Sequence, residues 1–362
     1  MYSASNKSTS ASSVSSQKTI FIVGAGASRE VNLPIGSELK TSIARDFQSR
    51  SGASGDEVIL GAIREASGGK ILPFLDTCKH IRDAMPLAIS IDNFIDVHSE
   101  DERIVLCGKL AIVRTILQGE AGSSLFMNQS QGNRQLKFNQ LEKTWFNSFF
   151  HLLTQNCKSS DLAKRLSSVA FITFNYDRCI EHYLYYALQE FYRIDASEVA
   201  QLLREHLEIY HPYGTVGSLP WLNQLNAMHY GATPNPTQLL QLANEIKTFT
   251  EGTNELLSDV NSIRSHMKTS HRLVFLGFAF HKLNMELLIP GSEGTQPPTG
   301  RHVHVFATDH GLSDSSLKHI RADLAARGIL PSGPTLDFSS VPDTFVTCNG
   351  LFQEYGRSMS FA

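Results

Sequence analysis

Apolar residues recur at two different spacings along this chain, and the spacing switches twice. Residues 19–23, Thr-Ile-Phe-Ile-Val, form a short unbroken apolar run of the kind a strand buried on both faces requires. The run breaks into Gly-Ala-Gly-Ala-Ser at 24–28. From Ser37 to Cys157 the pattern turns helical and predicts helices over 37–47, 57–65, 72–84, 90–98, 102–117 and 140–153. A stretch of Gly, Ser, Asn and Gln at 119–132 predicts an exposed loop inside this block. Short apolar runs then return at 169–173, 208–211, 272–277 and 302–307, with helical segments between them. Asp177 stands where it caps a helix carrying Ile180, Leu184, Ala187, Leu188 and Phe191 on one face. Asn235-Pro236 opens another helix, and Ser313 opens a third that carries Leu317, Ile320 and Leu324 and stops at Gly328. Strands alternating with helices predict an α/β fold: a Rossmann-like, mainly parallel sheet with helices on both faces. The domain spans 19–362 and carries an inserted helical subdomain at 50–160.

Composition narrows the function classes. The chain has 362 residues, 41% of them hydrophobic, and a formal net charge of −3 without any long basic run, so it offers no electrostatic footprint for nucleic acid. Its five cysteines, Cys78, Cys107, Cys157, Cys179 and Cys348, are scattered with no Cys-x-x-Cys pair. That excludes a four-cysteine zinc module and points to reduced thiols in the cytoplasm. Residues 1–18 are rich in Ser, Asn and Thr and read as a disordered tail, not a signal peptide or a membrane span. No other segment has the length of apolar sequence that a bilayer demands.

The polar clusters fall in a consistent place, at the carboxyl end of each predicted strand. Gly24, Ala25, Gly26 and Ser28 follow the first, Asn175-Tyr176-Asp177 the second, His211-Pro212-Tyr213-Gly214 the third, Gly277-Phe278 the fourth and Thr308-Asp309 the fifth. In open α/β sheets that edge is where ligands bind. Glycines at 24 and 26 let backbone turn sharply and lie close to a pyrophosphate. A dinucleotide fingerprint of the dehydrogenase type wants a small residue where this chain has Arg29 and an acidic residue ending a second strand about 20 positions on. Neither is present, so the turn argues for a nucleotide without arguing for hydride transfer. Taken singly, Asn175 also suits a turn, Asp177 a helix cap and His211 a satisfied core histidine.

Three of these motifs together carry a family resemblance. Gly-Ala-Gly-Ala-Ser with Pro34 downstream, Thr-Phe-Asn-Tyr-Asp at 173–177, and a strand-end His211 with Gly214 close behind resemble the sirtuin order of motifs. Over about residues 18–310 the chain is similar to the SIR2-like domains that act as NAD+ hydrolases in bacterial antiphage defence. The resemblance implies Asn175 and His211 as catalytic residues. Ser90-Ile91-Asp92-Asn93-Phe94 is similar to a recurrent element of that group and adds Asp92 as a ligand contact. The chain departs from sirtuins in lacking a zinc ribbon, in having Ile35-Gly36-Ser37 for the Asp-Phe-Arg that follows the proline, and in placing Pro212-Tyr213 between His211 and Gly214. These departures argue against protein deacylation and leave NAD+ cleavage as the implied activity, with no metal or further cofactor.

Cleaving the bond between nicotinamide and ribose needs little acid catalysis, because the pyridinium is already a cationic leaving group. What it needs is orientation of the ribose, stabilisation of an oxocarbenium-like charge and a positioned water. The Asn175 amide both donates and accepts, which suits a ribose hydroxyl or that water. His211 suits proton acceptance near neutral pH. Gly24, Ala25, Gly26 and Ser28 are expected to hold the pyrophosphate, Gly277 to line the same edge, and Thr308 and Asp309 to meet the adenosine ribose. The resemblance further implies a gated effector that depletes NAD+ in abortive infection, switched on by a separate sensor or activator subunit or by homo- or hetero-oligomeric assembly. Two other readings stay open at this point: a module that senses NAD+ or ADP-ribose without turnover, and a sirtuin-like deacylase or ADP-ribosyltransferase.

Overall fold

The computed structural model describes residues 18–48, 56–128, 135–253, 259–291, 303–330 and 347–361. The expected tail at 1–18 lies outside them except for Lys18, as does part of the 119–132 stretch. Five strands, β1 (Thr19–Val23), β2 (Val169–Thr173), β3 (Glu208–Tyr210), β4 (Arg272–Leu276) and β5 (His304–Ala307), form one sheet in the order β3-β2-β1-β4-β5. Every pairing is parallel. The apolar runs are unbroken because the central strands β1 and β2 are buried at all five of their positions.

Alternate residues of each strand feed two apolar clusters. Ile20, Ile22, Ala170, Ile172, Leu273, Phe275, Val305 and Ala307 face one side of the sheet. There they meet the helices Gly36–Asp46, Glu57–Ala66, Leu72–Ala84, Ile91–Val97 and Glu102–Ala121, joined by Pro236–Ala243 and Val260–Thr269. Phe21, Val23, Val169, Phe171, Val274, Leu276 and Phe306 face the other side. They pack on Trp145–Thr154, Cys179–Tyr192 and Cys348–Tyr355, where Phe21, Phe149, Phe171 and Phe352 meet ring to ring. The helices between β1 and β2 therefore divide between the two covering layers, those from Gly36 to Ala121 on one face of the sheet and Trp145–Thr154 on the other. Among the described residues no helix is long and apolar enough to cross a membrane.

Local signals behave as their chemistry dictates at several helix starts. Asn235 and Gln238 form a reciprocal capping box under Pro236, Ser313 accepts from the Ser316 amide, and Ser90 accepts from the Asn93 amide. Four expectations need correction. The helix over 140–153 is two pieces, Phe138–Leu141 and Trp145–Thr154, separated where the Thr144 hydroxyl turns back to the Leu141 carbonyl at 2.7 Å. The helix beginning at Glu102 runs on to Ala121, so the exposed loop starts later than the glycine at 119 suggests. Asp177 is not the N-cap residue: the helix starts at Cys179 behind Arg178, and Asp177 reaches past it to accept from the Cys179 amide at 3.1 Å. Phe191 belongs to the helical stripe by spacing yet is 59% exposed, because the helix ends at Tyr192 beyond the edge of the core.

One ion pair ties the layers together. Arg178 and Glu120 are buried, with side chains 2% and 0% exposed, and meet through Nη2–Oε2 at 2.5 Å and Nε–Oε1 at 3.1 Å. Glu120 also accepts from the amides of Arg178 and Gly231, while Arg178 donates to the carbonyls of Met228 and His229. Charges this deep are tolerable only when almost every donor and acceptor is used. Removing one partner strands the other, so Arg178→Met or Glu120→Leu alone is expected to cost about 3–5 kcal/mol, with much of the loss recovered in the double variant. Denaturant unfolding of the three variants checks this through the coupling energy.

Candidate functional site

The strand order reverses direction between β1 and β4, and at such a switch point two strand-end turns diverge and leave a crevice. Here the two turns are Gly24–Gly26 and Gly277. They touch backbone to backbone: the Gly24 amide donates to the Leu276 carbonyl at 2.9 Å and the Gly26 amide to the Gly277 carbonyl at 3.1 Å. A Cβ on Gly24 would stand 2.6 Å from the Gly277 oxygen, and one on Gly277, whose φ is +55°, would stand 2.0 Å from the Ala27 nitrogen. These glycines are therefore required by the packing of one turn on the other. The amides of Gly24 and Gly26, the glycines expected to let backbone lie close to a pyrophosphate, are used inside the protein. Thr308 at the end of β5 adds a further tie, its hydroxyl accepting from the Gly277 amide at 2.7 Å.

Beside these turns opens a cavity of about 1060 Å³. Gly24, Ala25, Gly26, Asp92, Asn175, Gly277 and Thr308 all line it. Ser28 and Asp309 do not. Ser28 lies buried behind the wall, donating to Asp177 at 2.8 Å and accepting from Asn175 Nδ2 at 3.0 Å, and Asp309 is half-buried beside Thr308.

Asn175 is held from several sides. Its amide nitrogen donates to the Gly24 carbonyl at 3.2 Å as well as to Ser28, and its backbone N–H reaches the Thr173 hydroxyl at 3.3 Å. Its Oδ1 is buried and has no partner. An orphaned acceptor of this kind costs free energy unless a donor reaches it.

His211 is near Asn175 but turned away from the large cavity. Its Nδ1 lies 3.1 Å from the Asn175 carbonyl, and its Nε2 lies 2.7 Å from Glu181 Oε1. A carbonyl only accepts, so Nδ1 carries a hydrogen. The ring lines a second, smaller cavity of about 460 Å³ together with Glu181, Arg178 and Trp221. Burial pulls the imidazole down, but the Glu181 carboxylate and the Asn175 carbonyl outweigh it and raise its pKa above the ordinary histidine value. Proton acceptance from a ligand in the large cavity, the role anticipated from sequence, requires a nitrogen that this arrangement already commits to protein atoms.

Asp92 enters the wall from the first turn of the helix Ile91–Val97 and accepts a hydrogen bond from the Tyr176 hydroxyl. Burial lifts its carboxyl above the usual range, against the Tyr176 bond, which lowers it. Tyr176, part of the same Asn-Tyr-Asp motif, is a site residue that sequence reading passed over; the signal was its place between two residues already singled out. Glu181 gave no comparable signal, since a glutamate in the first turn of a helix is ordinary.

The chain matches no protein-family model and no curated protein. The turn contact generates its own prediction. Gly277→Ala forces a left-handed conformation and a backbone clash together, and is expected to cost roughly 2–5 kcal/mol, read as a shift in the denaturant midpoint. Gly311, with φ of +78° and nothing within reach of a Cβ, is the control: Gly311→Ala pays only the conformational part, about 1–2 kcal/mol.

Proposed function

We propose that this chain is an NAD+ hydrolase that releases nicotinamide and ADP-ribose, acting as a gated effector that depletes NAD+ in antiphage defence. The reading rests on the motif resemblance. The observation that carries it is Asn175, with its unpartnered Oδ1 buried, among the residues lining a cavity at the switch point of the sheet. A cavity of about 1060 Å³ has room for an extended dinucleotide, larger than most drug-sized ligands need.

In this scheme the pyrophosphate lies against Gly24–Gly26, where no side chain longer than the Ala25 methyl intervenes, and the nicotinamide ribose turns toward Asn175. The C1′–N bond breaks with its electron pair passing to the ring nitrogen, which neutralises the pyridinium. Asn175 Oδ1 accepts a hydrogen bond from a ribose hydroxyl or from the attacking water. Asp92, the buried carboxylate on the same wall, supplies negative charge to the developing oxocarbenium ion. Water oxygen adds to C1′ and its proton leaves to solvent through the open cavity. His211 serves this scheme by holding the Asn175 carbonyl. Such activity drains its own cell, so we place the gate in assembly of copies of this chain.

Nicotinamide release by the purified protein, measured from nanomolar to tens of micromolar chain, tests this. The expected result is release that rises more steeply than protein concentration and falls roughly 10²- to 10³-fold in Asn175→Ala, the usual loss for one transition-state hydrogen bond. Activity is expected to decline on acidification at a pH above the ordinary carboxylate range, as the raised Asp92 carboxyl protonates. No nicotinamide at any concentration, with NAD+ nonetheless bound, would replace the hydrolase with a sensing module.

A further inference from the structure

Among the described residues three buried side-chain atoms lack partners, and two of them sit on neighbouring groups of one chain of contacts: Asn175 Oδ1 and Glu181 Oε2. Between them stands His211. Glu181 Oε1 holds Nε2 at 2.7 Å, Nδ1–H donates to the Asn175 carbonyl at 3.1 Å, and Asn175 in turn lines the large cavity. The three residues come from three elements: Glu181 from the first turn of the helix Cys179–Tyr192, His211 from the end of β3, and Asn175 from the end of β2. All are buried deeply enough for the contacts to escape screening by bulk water, with the His211 and Glu181 side chains 11% and 8% exposed.

Stability does not explain Glu181. A buried carboxylate held through one oxygen, with the other unpartnered, offsets its desolvation poorly, and because the imidazole, unlike Arg178, can lose its proton, an uncharged isostere of Glu181 leaves no buried charge behind. What the carboxylate does achieve is orientation. It fixes the plane of the imidazole and favours the doubly protonated ring, with one hydrogen on Nε2 donated to Glu181 and one on Nδ1 that pins the main-chain carbonyl of Asn175, a residue lining the cavity. Other charged groups around the ring act on it as well. Asp177 adds negative charge from the β2 turn, and Arg178 and Arg204 line the same small cavity from the helix starting at Cys179 and from the helix Ala196–His206. Arg178 is committed to Glu120, and Arg204 donates to the Trp221 carbonyl at the exposed rim, which leaves Glu181 as the group in direct contact with the imidazole.

We infer that Glu181 is a positioning residue for NAD+ cleavage, acting through His211 to lock the Asn175 main chain and so aim its side chain at the ribose. The inference rests on the hydrolase reading. Carboxylates that orient metal-bound histidines are worth roughly ten- to a hundredfold when removed, and a misplacement of about 1 Å costs up to roughly a hundredfold in rate.

Three readouts on Glu181→Gln test it, with His211→Gln used to assign the His211 imidazole among the 14 histidines by NMR. In the protein alone, His211 is expected to titrate above the ordinary histidine value in the wild type and measurably lower in Glu181→Gln. The unfolding midpoint is expected to stay within a few degrees of the wild type or to rise. Nicotinamide release is expected to fall roughly ten- to a hundredfold in kcat with KM changed less than about threefold. An unmoved His211 titration shows that the pair does not set the imidazole's proton and overturns the inference. So does a Glu181→Gln protein that cleaves NAD+ like the wild type, whatever its titration, while leaving the hydrolase reading standing. A rate loss matched by an equal loss of folded protein assigns Glu181 a structural role and also overturns it. A wild type that binds NAD+ without cleaving it removes the hydrolase reading itself, and the inference with it.

Discussion

The contact between Gly277 and the Gly24–Gly26 turn is the constraint from which the rest of the site follows. Two parallel strands that lie side by side in the sheet must send their chains to opposite faces at this point, and their turns pass within backbone contact because neither carries a side chain there. The amides of Gly24 and Gly26 close onto β4 carbonyls, and the Gly24 carbonyl is left to receive Asn175. Asn175 therefore takes its position from the same turn whose open side borders the cavity. A methyl group at any of these glycines would separate the turns and move the acceptor that fixes Asn175.

Buried charge does the corresponding work farther from the cavity. Glu120 on the long helix Glu102–Ala121 gathers Arg178 and the Gly231 amide, and Arg178 gathers two carbonyls of the segment that follows β3. Nearly every polar atom of that pair is used, which is the signature of a structural joint. Glu181, three residues beyond Arg178, pairs with His211 in a different way, with one carboxylate oxygen unpartnered and a cavity alongside. That contrast separates a pair that holds the layers together from one that orients a neighbour.

Much of this was legible in the residues. The strands could be read because short β-branched and aromatic runs end abruptly in Gly, Asn, His or Thr, and the helix starts at Ser90, Asn235 and Ser313 could be read because their side chains satisfy amides three residues on. The gathering of Gly24, Asn175, Gly277 and Thr308 at one edge followed from strand polarity alone. What escaped depended on distance in space. Arg178 and Glu120 are 58 positions apart and look like ordinary helix-end charges. Glu181 and His211 are 30 apart, and nothing local says that the imidazole turns toward the helix and away from the large cavity. The glycines show a related limit: the pattern tells that backbone comes close to something, and only the fold tells that the turn after β4 is part of it.

The central claim is that the crevice between β1 and β4 receives a dinucleotide with its nicotinamide ribose at Asn175. A crystal structure with a non-cleavable NAD+ analogue, carba-NAD+, tests this most directly. The account predicts one analogue per chain in the large cavity, pyrophosphate beside Gly24–Gly26, and a hydroxyl of the nicotinamide-side ring or a water bridging it to Asn175 Oδ1. An analogue bound elsewhere, or in the cavity with Asn175 Oδ1 still unpartnered, would contradict it.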